Sequence, residues 1–186
     1  MMSNIPNLVY LCPTCVEEAI AMMDYAIDQT EHPMAIRIPN GVAHRNMAFD
    51  KDYSKLNTFK VDKRGSKVAL IGLGNYYALA ESAAAELAKQ GIDATIINPR
   101  FATGVDREVL EWLCADHQVV VTLENGVVDG GFGEKIARFY GTRDIKVLVK
   151  GLKKEFYDKV PYGELMERNR LTPKQIVEDV MAVLGK

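Results

Sequence analysis

The chain has 186 residues, enough for one full domain with part of a second, and 48% of them are hydrophobic, so a real core can form. Its formal charge of -2 comes from interspersed acids and bases with no run of Lys or Arg, which argues against nucleic acid or an anionic membrane as a partner. No apolar stretch approaches the roughly 20 residues that cross a bilayer, the start lacks the pattern of a signal peptide, and an odd count of three cysteines suits reduced thiols; a cytoplasmic address is expected.

The first elements read as β-α-β. Asn4-Ile5-Pro6-Asn7 is turn chemistry that leads straight into an apolar strand, as if an earlier element had been cut away. Val9 to Leu11 is a short strand ended by Pro13. Thr14 and Glu17 then have the spacing of a capping box ahead of Ala19, Ile20, Met23 and Ile27, which recur at helical spacing and predict the buried face of an amphipathic helix. Met34 to Ile38 reads as a buried strand closed by Pro39-Asn40-Gly41.

From Val42 to Arg64 the periodicity is lost and only Phe49, Tyr53, Leu56 and Phe59 stand out as anchors. This is the linker candidate, with domains expected over 1–45 and 65–186 and the linker over 46–64. A second series then begins. The run after Lys67, VALIGL, is continuous and apolar, the pattern of a parallel strand covered on both faces. Tyr77 to Gln90 predicts a helix stopped by Gly91, Ala94 to Ile97 a strand, Asp106 the cap of a helix reaching Ala115, and Val119 to Leu123 a third strand. A helix over Gly133 to Tyr140, a strand over Ile145 to Val149 and a capped helix after Thr172-Pro173-Lys174-Gln175 complete the series. The expected fold class is α/β, a three-layer open and mostly parallel sheet with four strands and four helices after the linker. Gly151 to Leu171 is the least readable stretch and suits a loop or short helix.

Four groups of residues invite a chemical reading. Gly72-Leu73-Gly74 follows a strand and opens a helix, where a dinucleotide pyrophosphate could sit. The third glycine is replaced by Tyr77, however, and Asn98-Pro99-Arg100 stands where a ribose-binding acid is needed, so a tight turn is the simpler reading. Cys12 and Cys15 have the spacing of a thiol redox pair without a thioredoxin-like surround, and His32, His44, His117 and Cys114 are scattered without zinc spacing. Glu124-Asn125-Gly126 is expected just beyond the third strand, with Asp129-Gly130-Gly131-Phe132-Gly133-Glu134 before the next helix. These are carboxylates and glycines where open α/β sheets place ligands, or else a Glu124 that caps neighbouring amides. Arg37 and Arg100 each end a strand, in position to meet an anion or pair with a carboxylate. No nucleophile, base and oxyanion donor assemble.

Taken together, SNIPNLVYLCPTCVEEA, MAIRIPNG, NPRFATGVD and VTLENGVVDGGFGE resemble, in order and spacing, successive landmarks of the 1-deoxy-D-xylulose-5-phosphate synthases, thiamine-diphosphate enzymes of the transketolase superfamily. The resemblance covers essentially the whole chain. It implies a C-terminal slice, namely the last β-α-β of a pyrimidine-binding domain, a linker and a complete third domain, within a homodimeric enzyme. It also implies that thiamine diphosphate, Mg2+ and the catalytic residues are held by sequence before Met1, so that this chain carries no catalytic, cofactor or metal residue and is inactive alone. Where the family commonly reads Tyr-Pro-Arg-Gly, with an arginine thought to meet the substrate phosphate, this chain has Ile38-Pro39-Asn40-Gly41. The substrate-binding candidates that follow from the resemblance are Arg37, Asn40 and the nearby Arg45; Asn40 supplies no cation.

Overall fold

A computed structural model describes residues 2–38 and 43–185. Its main body is a five-stranded sheet of β3 (Lys60–Lys63), β4 (Lys67–Gly72), β5 (Thr95–Asn98), β6 (His117–Val127) and β7 (Lys146–Leu152), in the order β3-β5-β4-β6-β7. The last four are mutually parallel and β3 is antiparallel to β5. Successive residues of a strand point to opposite faces, so an apolar run buried on both sides feeds two cores. Val68 and Leu70, with Val119 and Val121, pack under α2 (Tyr77–Lys89) and α6 (Pro173–Leu184), where Ala83, Leu87, Ile176 and Val180 meet them. Ala69 and Ile71, with Val120, pack on the other side under α3 (Arg107–Leu113) and α4 (Phe132–Tyr140) through Leu110, Leu113 and Ile136. Each fully buried Leu or Ile contributes about 1.5–3 kcal/mol relative to exposure. The fold class expected from the sequence is the one observed.

Local chemistry sets the helix ends. Thr172 and Gln175 form a reciprocal capping box with Pro173 at the first position, and Gly185 closes α6 at φ 71°. Asp106 accepts the Val109 N–H at 3.1 Å and also the Phe59 N–H at 2.8 Å, so one side chain caps α3 and holds the entry to β3. A Cβ at Gly72 would lie 2.6 Å from Tyr77 Cα, so this glycine is required for α2 to pass close to the end of β4.

Three details depart from the sequence reading. The stretch read as a linker contributes β3, which ends in a register shift against β5. Gly151 to Leu171, open to a loop or a short helix, holds the short helix α5 (Tyr162–Arg168), which brings the helices after the linker to five instead of four, with Met166 buried while Phe156 and Tyr162 are exposed. β6 runs on through Glu124, Asn125 and Gly126 instead of stopping before them.

The first residues form a small parallel unit of β1 (Val9–Leu11), α1 (Val16–Asp28) and β2 (Met34–Ile36), with Val9 opposite Met34. It docks on the main body through its own backbone: the Cys12 N–H donates to Arg100 O and the Ala102 N–H to Tyr10 O, both at 2.8 Å, and Leu11 bridges Phe101. Val9, Leu11, Met22, Tyr53 and Phe101 make a third core around this contact. The buried face of α1 is Glu18, Ala19, Ala21 and Met22, whereas Ile20, Met23 and Ile27 are 49%, 40% and 79% exposed. Capping also differs. Thr14 donates through its N–H and hydroxyl to Glu18 at 2.7 Å, and Glu17 turns outward to accept the N–H groups of Arg45 and Asn46 at 3.0 and 3.1 Å. A buried carboxyl group needs donors, and Thr14 ahead of α1 and Asn98 of the main body supply them. No helix of the described residues is long and apolar enough to cross a membrane.

Candidate functional site

From β4 the chain moves to β5 on one side of the sheet and returns to β6 on the other, so the winding reverses between β4 and β6. Open parallel sheets bind ligands in the crevice at the carboxyl ends of such a pair. Here that crevice is shaped by a bulge. Leu123 pairs with Lys150 and Val127 with Leu152, so Glu124, Asn125 and Gly126 lie opposite Gly151 alone. A Cβ on Gly151 would approach Gly126 O at 2.8 Å, so glycine there permits the bulge.

The bulge aims Glu124 at the start of α4, where its carboxylate accepts the N–H groups of Phe132 at 2.9 Å and Gly133 at 2.8 Å. A Cβ on Gly131 would lie 2.5 Å from Glu124 Oε1, and one on Gly133 2.4 Å from Thr122 Oγ1. The glycine run is thus the room this carboxylate needs. Glu134 takes the Gly130 N–H at 2.8 Å, so the amides that could cradle a phosphate are engaged by the protein's own acids. Burial pushes the Glu124 carboxyl up, opposed by those amide bonds and by Arg37.

Arg37 reaches this crevice from the end of β2 and donates through Nη2 to the carbonyl of Asn125. With Cys12, Leu73, Gly74, Asn75 and Asn125 it encloses a small void, which adjoins a cleft of about 350 Å3 bordered by Tyr10, Glu124 and Phe132. Arg45 lies elsewhere. Its Nη1 donates to Glu81 Oε1 at 2.8 Å and its Nη2 to Oε2, and the guanidinium stacks 4.9 Å from the Tyr77 ring centroid, bordering a separate cavity of about 330 Å3 beside β3. Asn40 lies outside the described residues. The structure therefore separates Arg37 from Arg45. Arg100, at φ 60°, is directed away from the crevice and holds the preceding segment through Thr58 O, Thr58 Oγ1 and Asp50.

The other sequence candidates resolve into structure. Cys12 and Cys15 are buried free thiols; burial pushes Cys12 up to about 12 and also raises Cys15, the opposite of a reactive thiolate. Gly74 sits at φ 60°, with Cys12 Cβ 3.5 Å and Pro13 O 3.6 Å from where its own Cβ would be, so the first unit covers the glycine turn. His117 is buried with Nε2 2.8 Å from Thr95 Oγ1. Among the described residues no three His, Cys, Asp or Glu side chains converge to hold a cation. The groups present do not fit the metal-bound diphosphate end of thiamine diphosphate. Sequence reasoning missed Tyr10 and Asn75 in the crevice; the signal for Asn75 was its place directly after the glycine turn at a strand end.

The family described as transketolase, C-terminal domain, matches residues 57–176, which span β3 to the start of α6. The chain belongs to the transketolase C-terminal domain family. This transketolase C-terminal domain and the unit before it align together with curated relatives: the 1-deoxy-D-xylulose-5-phosphate synthase of Clostridium tetani is 30% identical over 98% of this chain and 30% of its own length, and that of Symbiobacterium thermophilum 33% identical over 97% and 28%. The chain spans about 30% of the length of these relatives. Among solved structures, a split gene transketolase, described as an inactive beta4 tetramer, superposes with a TM-score of 0.80 at 27% identity, covering 99% of this chain and 59% of that one. A transketolase variant from Pichia stipitis superposes at 0.72 with 15% identity over 98% of this chain and 26% of its own, which shows the shared fold.

Proposed function

We propose that this chain is the C-terminal portion of a thiamine-diphosphate-dependent two-carbon transferase of the 1-deoxy-D-xylulose-5-phosphate synthase type, joining pyruvate to glyceraldehyde 3-phosphate, and that it is inactive alone. The observation that carries the reading is the alignment of nearly the whole chain with under a third of each synthase. The first unit supports it. A two-stranded parallel sheet is too small to stand alone, β2 has β1 on one side and no named strand on the other among the described residues, and α1 turns Ile20, Met23 and Ile27 outward. On this reading residues 1–45 complete a pyrimidine-binding domain supplied by other polypeptide, 46–64 connect, and 65–186 form the interface domain of a homodimer.

When bound, thiamine diphosphate acts as the electron sink for the two-carbon unit. This chain contributes acceptor binding: Arg37 offers a charge at the crevice, Asn40 belongs to the segment that follows it, and Arg45, tied to Glu81 and Glu17, anchors the far end of that segment. Asn40 in place of a cation leaves Arg37 as the charge that recognises the acceptor. The split gene match favours a second form of the same reading, in which this chain is a separately encoded subunit.

The test is to assemble the chain with a companion carrying the complementary two thirds of the enzyme and assay two-carbon transfer from pyruvate to glyceraldehyde 3-phosphate. Turnover is expected only from the mixture, with Arg37→Met raising the acceptor KM more than tenfold. Turnover by the chain alone, or an unchanged KM, contradicts the reading.

A further inference from the structure

We propose that the cavity of about 330 Å3 between β3, α2 and the segment ahead of β3 binds an α-amino acid with an apolar side chain, its ammonium held by Asp62, its carboxylate by Lys60 and its side chain by Met47 and Phe49. Three independent features converge there. The first is a bulge. Lys60 pairs with Asn98 and Val61 with Ile97, but Lys63 pairs with Ile96, so Asp62 is the extra residue of β3, and it lines the cavity. The second is a loose pair of charges. Lys60 Nζ stands 3.6 Å from Asp62 Oδ1, too far for a hydrogen bond, and both side chains are only partly exposed. The third is uncovered apolar surface, because Met47, at 48% exposure, and the half-buried Phe49 both line the cavity.

Charge selects the ligand class. The other polar groups around the cavity are already engaged: Arg45 forks onto Glu81, Thr14 and Asn98 donate to Glu18, and Lys63 pairs with Asp93. Burial, and after it Asp62, raises the Tyr77 hydroxyl, which stays a protonated donor. An ionised carboxylate accepts about four hydrogen bonds, so Asp62 has capacity for an ammonium beyond Lys60 and Tyr77. In an α-amino acid the ammonium and carboxylate sit side by side on one carbon, as Asp62 and Lys60 stand side by side here. An occupant therefore replaces one long ion pair with two charge-assisted hydrogen bonds. A phosphate would meet the carboxylates of Asp62 and Glu81, and a simple amine would leave Lys60 without a counter-charge. The apolar tail covers Met47 and fastens the segment ahead of β3 onto the sheet.

The experiment uses the full 186-residue chain with L-leucine as the probe. Isocaproate, which lacks the ammonium, and isoamylamine, which lacks the carboxylate, are the comparisons at matched pH and ionic strength. The backbone amide resonances of Phe49, Asp62 and Ile96 are expected to shift and saturate with leucine in the millimolar range, and at least tenfold more weakly with either comparison. Asp62→Asn and Lys60→Met are each expected to weaken the response to leucine at least fivefold, with amide spectra elsewhere unchanged as the check on folding. Glu111→Gln, which changes a surface acid paired with Arg143, is expected to leave the response intact. Non-saturating shifts, an equal response to either comparison, or a response preserved in either cavity variant would overturn the proposal. Saturation by the amine or the carboxylate without leucine binding would overturn it equally. The cavity shares no lining residue with the crevice at Arg37, and the experiment needs no turnover and no companion, so this inference and the transferase reading can fail separately.

Discussion

Asn98 Nδ2 donates to Glu18 Oε1 at 2.8 Å, across 80 residues of sequence, and both side chains are buried. This bond joins α1 of the first unit to the end of β5. Asn98 Oδ1 in turn accepts the Arg100 N–H, and Arg100 grips Thr58 and Asp50, so a single polar chain registers the first unit, the sheet and the intervening segment against one another. The orientation of Arg37 at the crevice depends on that registration.

Removing the Glu18 carboxylate is therefore expected to be costly. Glu18→Ala leaves Thr14 and Asn98 as buried donors without their partner, a loss of about 1.5–3 kcal/mol for hydrogen bonds to a charged group, readable as a lower urea midpoint. A change below about 0.5 kcal/mol would show that the two parts are held without it.

Gly133→Ala places a methyl group against Thr122 Oγ1 and Val149 Cγ1, at 2.4 and 2.5 Å before relaxation. Overpacking of this kind costs about 1–3 kcal/mol. The thermal midpoint is expected to fall, and Gly163→Ala, with no atom within 4 Å of the added carbon, serves as the neutral comparison.

His117 gives a pH dependence with a defined sign. Burial holds its imidazole below the usual range, against the pull of Asp116. The unfolded chain therefore binds the proton more readily. Stability is present above the unfolded value of about 6.5 and is lost as pH falls through it toward the lower folded value. Urea midpoints measured from about pH 7.5 to 5.5 are expected to fall less steeply in His117→Gln than in the parent chain.

The exposed stripe of α1 predicts a separation of stability from association. Ile27, at 79% exposure, is expected to tolerate Ile27→Glu within about 0.5 kcal/mol, because it buries little in this chain. The same change, with Met23→Glu, is expected to abolish co-purification with the companion polypeptide, whereas retention at parental levels would place the contact elsewhere.

The parallel sheet was legible because Val68 to Ile71 and Val119 to Leu123 are apolar without interruption, a pattern that burial on both faces demands. The α6 cap was legible because Thr172, Pro173 and Gln175 act on their own neighbours. β3 was not, since Lys-Val-Asp-Lys has neither a continuous apolar run nor a clear face, and its identity as a strand comes from pairing with β5. The face of α1 was misassigned for a related reason: Ile20, Met23 and Ile27 form the more apolar stripe, but the contact with the main body is made by Glu18 and Met22. In the crevice, Glu124 and its glycines were visible as residue types, while the convergence of Arg37, Asn75 and Asn125 follows from the bulge and from docking of the first unit, which are tertiary facts.

The central claim is that the chain supplies part of a thiamine-dependent transferase and needs other polypeptide to hold the cofactor. Titration calorimetry of the full chain with thiamine diphosphate and magnesium tests it most directly, run alone and then with the companion added. No saturable heat from the chain alone and micromolar binding by the mixture are predicted; tight binding by the chain alone would contradict the account.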